Sequence, residues 1–174
     1  MDSDCRKVLS EINKPVTKID NDTWSGIGFQ IASDKFLIES AYIQEVIDAN
    51  IQKHLSSMPG AKPWLLGLIS FRGQPTPVID LKYFLSNEKS KINASSRLIV
   101  IKNGNYVSGL LLEEIYGLKQ FSLNADAETQ ESIKLFSEKS QEYIENTFSN
   151  NNELFGIFSI PRLINNKEFA NAAR

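Results

Sequence analysis

From residue 25 onward the chain alternates apolar and polar positions in short runs, the period-two pattern of strands that bury one face. "SGIGFQI" places Ile27, Phe29 and Ile31 on one side, and Ser33-Asp34-Lys35 then turns the chain into "FLI", which predicts a first hairpin. Gly26 and Gly28 fall inside that alternation, so they read as relief of crowding or close backbone approach, not as a phosphate cradle. "AYIQEVIDA" fits two periods: Tyr42, Val46 and Ala49 suit a helix, whereas Ile43, Glu45 and Ile47 suit a strand. We read it as an irregular start leading into a short strand. Met58-Pro59-Gly60 and Lys62-Pro63 punctuate a loop, and Trp64-Leu65-Leu66 reads as one helical turn before a strand over residues 68–71.

"GLISFRGQPTPVIDL", residues 67–81, interrupts an apolar run once with Arg72-Gly73. Gly73 can take the positive φ that a hairpin turn needs, and Pro75 and Pro77 suit a strand with one unpaired side. Asp80 is placed to cap a short helix "LKYFL" by accepting from the amides of its first turn. Phe71, Tyr83 and Phe84 are assigned to core or inter-barrel packing. The polar segment "SNEKSKINASS", residues 86–96, carries no apolar periodicity and divides the chain into two halves. Beyond it, "RLIVIKNGNYVSGLLL" predicts a hairpin turning at Asn103-Gly104, a favoured type I′ pair. Residues 124–141 read as loop or short amphipathic helix with Ile133, Leu135 and Phe136 on its apolar side. "EYIENTF", the turn "SNNNE" and "LFGIFSI" make a last hairpin, and Pro161 fits the first helical position of "PRLIN". Two halves of short strands predict two small antiparallel barrels, because closure removes exposed strand edges.

Composition then excludes more than it selects. The 174 residues carry 19 basic and 21 acidic side chains for a net charge of −2, so there is no basic footprint for nucleic acid. A nucleic-acid-binding barrel would also interleave aromatics with Lys or Arg on one sheet, and no such stretch is present. The longest apolar stretch, residues 64–71, is far short of the ~20 residues that span a bilayer. The N-terminal residues lack the basic start and apolar middle of an export signal, which makes the cytoplasm the expected compartment without direct membrane insertion. One cysteine, Cys5, and one histidine, His54, cannot build a zinc cluster or a disulfide framework. No Walker or dinucleotide glycine motif occurs, and no cofactor or metal is expected. Glu113-Glu114 is an adjacent pair that a strand would point to opposite faces. His54 sits in a polar stretch before a turn; a small β-barrel hydrolase using it with a nearby carboxylate is the enzymatic alternative.

Four segments in order resemble the CheW-like family of chemosensory coupling proteins. "WLLGLISFRGQPTPVIDLKYF", residues 64–84, is similar to that family's central signature. "RLIVIKNGNYVSGLLLEEI", residues 97–115, resembles its second-half hairpin with Gly109 in the expected place. "IQEV", residues 43–46, resembles its short partner-binding segment, and "ENTFSNNNELFGIFSIPRLI" its closing hairpin and helix. "WSGIGF" at residues 24–29 and "PGAKPWLLG" at residues 59–67 look most like the branch that serves type IV pilus systems. The chain departs from the pattern at Glu114, where glycine commonly stands, and at Pro161, where a polar residue precedes the last helix.

The resemblance implies an all-β fold of two SH3-like five-stranded barrels packed on a shared core with short helices. It covers residues 24–164, joined through a linker at about 86–96, with a polar leader over 1–23 and a tail over 165–174. It implies no enzyme but an adaptor, monomeric when isolated, that ties the cytoplasmic tip of a methyl-accepting chemoreceptor to the regulatory domain of a CheA-like histidine kinase, in the pilus branch controlling twitching motility. The residues it places at partner contacts are Ile43, Glu45, Gly67, Arg72 and Gly109. From the residues alone, Ile43 suits core, Glu45 and Arg72 suit solvated positions, and the two glycines suit steric accommodation within strands.

Overall fold

A computed structural model of the chain describes residues 23–122, 127–128 and 130–172; the leader, apart from its last residue, lies outside them. The architecture is all-β, with two sheets and a few short helices. Sheet I contains β1 (Thr23–Ile31), β2 (Asp34–Glu39), β8 (Glu114–Ser122), the two-residue β9 (Ala127–Glu128), β10 (Ile144–Asn150) and β11 (Glu153–Phe158), in the order β8-β1-β2-β11-β10-β9. Sheet II contains β3 (Ile43–Asp48), β4 (Leu65–Phe71), β5 (Gln74–Asp80), β6 (Arg97–Asn103) and β7 (Tyr106–Leu112), in the order β3-β6-β7-β5-β4. Each sheet is antiparallel except for one parallel pair, β2 with β11 and β5 with β7.

The sheets are therefore not the two halves of the sequence. Sheet II is the middle of the chain, and sheet I brings its two ends together. Segment 86–96 connects β5 to β6 within sheet II, through helix α1 (Leu81–Ser86). Parallel pairing explains the arrangement: strands that run the same way need a long crossover, so β5 reaches β7 only after α1, the linker and β6.

Strand alternation sorts side chains into three cores. Ile27, Phe29 and Ile31 share one face as the sequence predicts, and with Phe36 and Ile38 they join Ile43, Val46, Ile79, Ile99, Ile101, Leu110 and Leu112 in a large core between the sheets. Leu98, Leu111, Val78 and Ile69 point the other way, into a small core inside sheet II. Leu37, Phe148 and Phe155 do the same inside sheet I. Both faces of β6 and β7 are thus buried, which is why "RLIVI" and "GLLL" read as unbroken apolar runs.

The turns refine several expectations. Phe71 pairs with Gln74 around Arg72 (φ 50°) and Gly73 (φ 76°), and two left-handed central residues make a type I′ turn. The next hairpin closes one residue later than predicted, with Asn103 paired to Tyr106 around Gly104-Asn105. Only Gly104 there has positive φ (59°), the type II′ pattern. Burial sets this register: a one-residue slip would turn Leu98 and Leu111 out of their core. The first turn falls at Ala32-Ser33, inside the pair Ile31 and Asp34. Trp64-Leu65-Leu66 does not form a helical turn, since β4 starts at Leu65 with a bulge before Gly67. Leu135 is 76% exposed, so only Phe136 and, in part, Ile133 serve the core from that segment.

The caps behave as read. Asp80 Oδ1 accepts from the Tyr83 amide at 3.1 Å and starts α1. Its second oxygen accepts from the Ser90 amide at 2.9 Å, so the same carboxylate pins the linker. Helices α2 (Gln130–Ile133), α3 (Glu138–Gln141), α4 (Ile160–Asn165) and α5 (Lys167–Ala170) complete the described chain. Residues 165–172 do not behave as a tail. Asn166 caps α5, Phe169 is 2% exposed with its ring 5.4 Å from Phe84 and 6.2 Å from Tyr106, and the Ala172 carbonyl accepts from the Lys62 amide at 2.8 Å. A strap thus runs from the end of sheet I across α1 and β7 of sheet II.

Candidate partner-binding surface

Register places three of the five predicted contact residues on one line across sheet II. Glu45 pairs with Val100, Val100 with Gly109, Gly109 with Val78, and Val78 with Gly67. At strand spacing this row runs about 19 Å along the sheet from one edge strand to the other. Glu45 is half-buried on edge strand β3. Ile43 begins that strand at 5% exposure, with its side chain in the inter-sheet core. It supports the strand from below and presents little of itself to a partner. A bulge at Gln44 separates the two, which is how neighbours of opposite character both fit.

The glycines in this row accommodate the chain's own atoms. A Cβ on Gly67 (φ 147°) would stand 2.4 Å from the Ser56 carbonyl oxygen, because Ser56 and Leu68 exchange hydrogen bonds of 2.8 and 2.9 Å beside it. A Cβ on Gly109 would stand 2.9 Å from Leu98 Cδ1 in the small core of sheet II. Both positions let sheet II close.

Arg72 lies apart, about 17 Å along β4 from Gly67, at the tip of the β4–β5 hairpin. Residues 72–75 are all exposed. In a two-residue hairpin the closing pair Phe71 and Gln74 is the hydrogen-bonded kind, so Ser70 with Pro75 and Leu68 with Pro77 are not. Each proline therefore sits where its missing N–H would point away from β4. β7 pairs β5 only at residues 78–80, which leaves residues 74–77 as an open side. The result is a two-stranded ribbon that projects beyond the sheet and resists unwanted pairing. Phe71 is not core: it is half-buried, and the Arg72 Cζ lies over its ring, 4.9 Å from the centroid.

The acidic pair behaves differently from expectation. Glu113 occupies the bend between β7 and β8, strand alternation lapses there, and Glu113 and Glu114 line one polar cleft of about 270 Å³ with Gln30, Ala32, Asn93 and Ser95. Burial pushes the Glu113 carboxyl up, but the Lys91 amide at 2.6 Å and the Lys82 ammonium at 3.0 Å outweigh it and hold the group below its usual range. The cleft contains no nucleophilic cysteine and no histidine. His54 is exposed on a 3₁₀ turn over Asn50–His54 and does not line it. Among the described residues no group of three His, Cys, Asp or Glu could hold a metal ion, and no helix is long and apolar enough to cross a membrane.

Of the aromatic joint between the sheets, the sequence reading identified Phe84 as packing but missed the rings around it. Trp64, Tyr143 and Phe169 surround the Phe84 ring at 5.4, 5.8 and 5.4 Å, and Lys139 Nζ covers it at 4.3 Å. Burial pushes the Tyr143 phenol up to about 12. These rings come from four separated segments, and no local period connects them.

Residues 25–168 match the CheW-like domain family. The chain is 27% identical to Protein PilI of Pseudomonas aeruginosa over 128 residues, which cover 74% of this chain and 69% of that protein. It is 29% identical to Protein FrzA of Myxococcus xanthus over 92 residues, covering 53% of this chain and 56% of the relative. The crystal structure of the scaffolding protein TtCheW from Thermoanaerobacter tengcongensis superposes with a TM-score of 0.66 at 18% identity, over 79% of this chain and 89% of that one.

Proposed function

The chain belongs to the CheW-like domain family, and from that premise we propose that it is a cytoplasmic, non-enzymatic adaptor joining a methyl-accepting chemoreceptor to a CheA-like histidine kinase. The observation that carries this reading is the extent of the family match, residues 25–168, which spans both sheets and the core between them. The likeness to PilI supports the narrower assignment to a type IV pilus system that controls twitching motility. The receptor tip, a helical hairpin, would lie in the groove between the two barrels by helix-in-groove recognition, with Glu45 and Arg72 as its polar contacts, while Ile43 supports β3 and Gly67 and Gly109 let sheet II close.

The test is co-assembly of the purified protein with the cognate receptor's cytoplasmic fragment and the kinase. The isolated adaptor should be monomeric and bind the kinase's regulatory domain with micromolar-scale affinity, since such contacts concentrate their energy in a few anchors. Arg72→Ala should weaken assembly by more than ~1 kcal/mol without lowering the melting temperature. Arg72→Lys should restore it only in part, because an ammonium lacks the planar fork. Absence of binding to both partners would refute the adaptor reading.

A further inference from the structure

Arg72 occupies a backbone position that arginine has no local reason to prefer. Type I′ turns favour Asn, Asp or Gly at their first central position, because short polar side chains or none tolerate φ near +50°. Here φ is 50°, and among the described residues no ion pair or hydrogen bond of the Arg72 side chain offsets the choice. What the side chain does have is the Phe71 ring, with Cζ 4.9 Å from its centroid. Phe71 shares a strand face with the buried Ile69, yet is itself half-buried because the ribbon runs past the sheet. A large aromatic at that exposed station adds little to any core. Among the described residues, the ring contact it makes is with the guanidinium.

We infer that Phe71 is a positioning residue whose ring holds the Arg72 guanidinium flat at the ribbon tip as a preformed fork for a carboxylate on the docked partner. With its Cζ over the ring, the guanidinium keeps its N–H groups available to form two parallel bonds with an Asp or Glu. Stacking also removes rotamer freedom before binding, so less is lost when the carboxylate arrives. The type I′ turn supplies the backbone direction, and Phe71 the side-chain direction. This inference rests on the adaptor reading of Arg72 and assigns the partner group it recognises.

Two measurements separate the inference from that reading. The first needs no partner: in the 15N-labelled full chain, the Arg72 Nε–Hε resonance, assigned with Arg72→Lys, should be shifted upfield by the ring and ordered. In Phe71→Leu it should move to the value of a free arginine; an unmoved resonance overturns the stack. The second is calorimetry against the cognate receptor fragment and kinase regulatory domain, with melting temperatures recorded in parallel. Phe71→Leu should weaken binding about two- to fivefold, Phe71→Tyr should retain it, and Phe71→Leu added to Arg72→Ala should have no further effect. Equal loss in both backgrounds would mean that Phe71 touches the partner itself and would overturn positioning. Loss with Arg72→Ala but not with Phe71→Leu would overturn it too, while leaving the adaptor reading intact. Failure of the wild-type chain to bind either domain would remove the adaptor reading and the docking role together.

Discussion

Replacing Phe169 with alanine tests whether the strap over residues 165–172 belongs to the folded core. The ring is 2% exposed and meets Phe84 edge-on at 78° and Tyr106 at 49°. Truncating a packed phenylalanine costs about 3–5 kcal/mol, the sum of lost transfer energy and the cavity left behind. Its helix has only four residues, so the strap can move into part of the gap, and the lower end, about 3 kcal/mol, is expected. For a chain of this size each kcal/mol lowers the melting temperature by about 2–4 °C, giving a drop of about 6–12 °C. The assay is thermal and urea unfolding followed by far-ultraviolet circular dichroism. Tryptophan fluorescence is recorded alongside in a Trp24→Phe background, where Trp64 is the sole indole. Trp64 stands 5.4 Å from Phe84, so it reports the joint while dichroism reports the sheets. Phe169→Ala should be non-additive with Phe84→Leu, which shares its contact, and additive with Leu111→Ala in the separate core of sheet II. A drop below about 2 °C with unchanged Trp64 emission would refute the argument and leave the strap as a surface appendage.

Two further substitutions probe the glycine row and the acidic cleft. Gly67→Ala would drive a methyl into the Ser56 carbonyl and break the paired hydrogen bonds to Leu68, so it should cost more than about 2 kcal/mol. Gly73→Ala, with φ 76° but nothing within 4 Å, should cost about 1 kcal/mol in urea unfolding, and the reverse order would contradict the register drawn here. Glu113 has its folded pKa lowered, so its contribution is fully present above the ordinary carboxylate value of 4.5 and lost as pH falls through the folded value. Glu113→Gln should flatten the fall in melting temperature below about pH 4.5 and leave the neutral-pH slope unchanged; an unaltered acid slope would count against the Lys82 and Lys91 contacts.

Much of the local structure was legible in the residues themselves. Alternation in "SGIGFQI" gave one buried face, Gly73 marked the turn, Asp80 the helix cap, and two prolines the open side of β5, because each effect acts within a few residues. Turn position was less legible at residues 103–105 and 32–33, where several polar residues could make the bend and the buried faces of distant strands chose among them. Sheet membership was not local at all. Only parallel pairing of β2 with β11 and β5 with β7 reveals that the chain's ends share a sheet and that segment 86–96 stays within the other. The candidate surface shows the same division. Arg72 and Glu45 were identifiable as residues, but the place of Arg72 at the ribbon tip, the line of Glu45, Gly109 and Gly67 across sheet II, and the burial of Ile43 follow from register. The joint of Trp64, Phe84, Tyr143 and Phe169 has no sequence signal, since its rings meet through the packing of four remote segments. Short-range sterics and hydrogen bonds are written in neighbouring residues, whereas pairing and burial depend on partners that the chain meets only when folded.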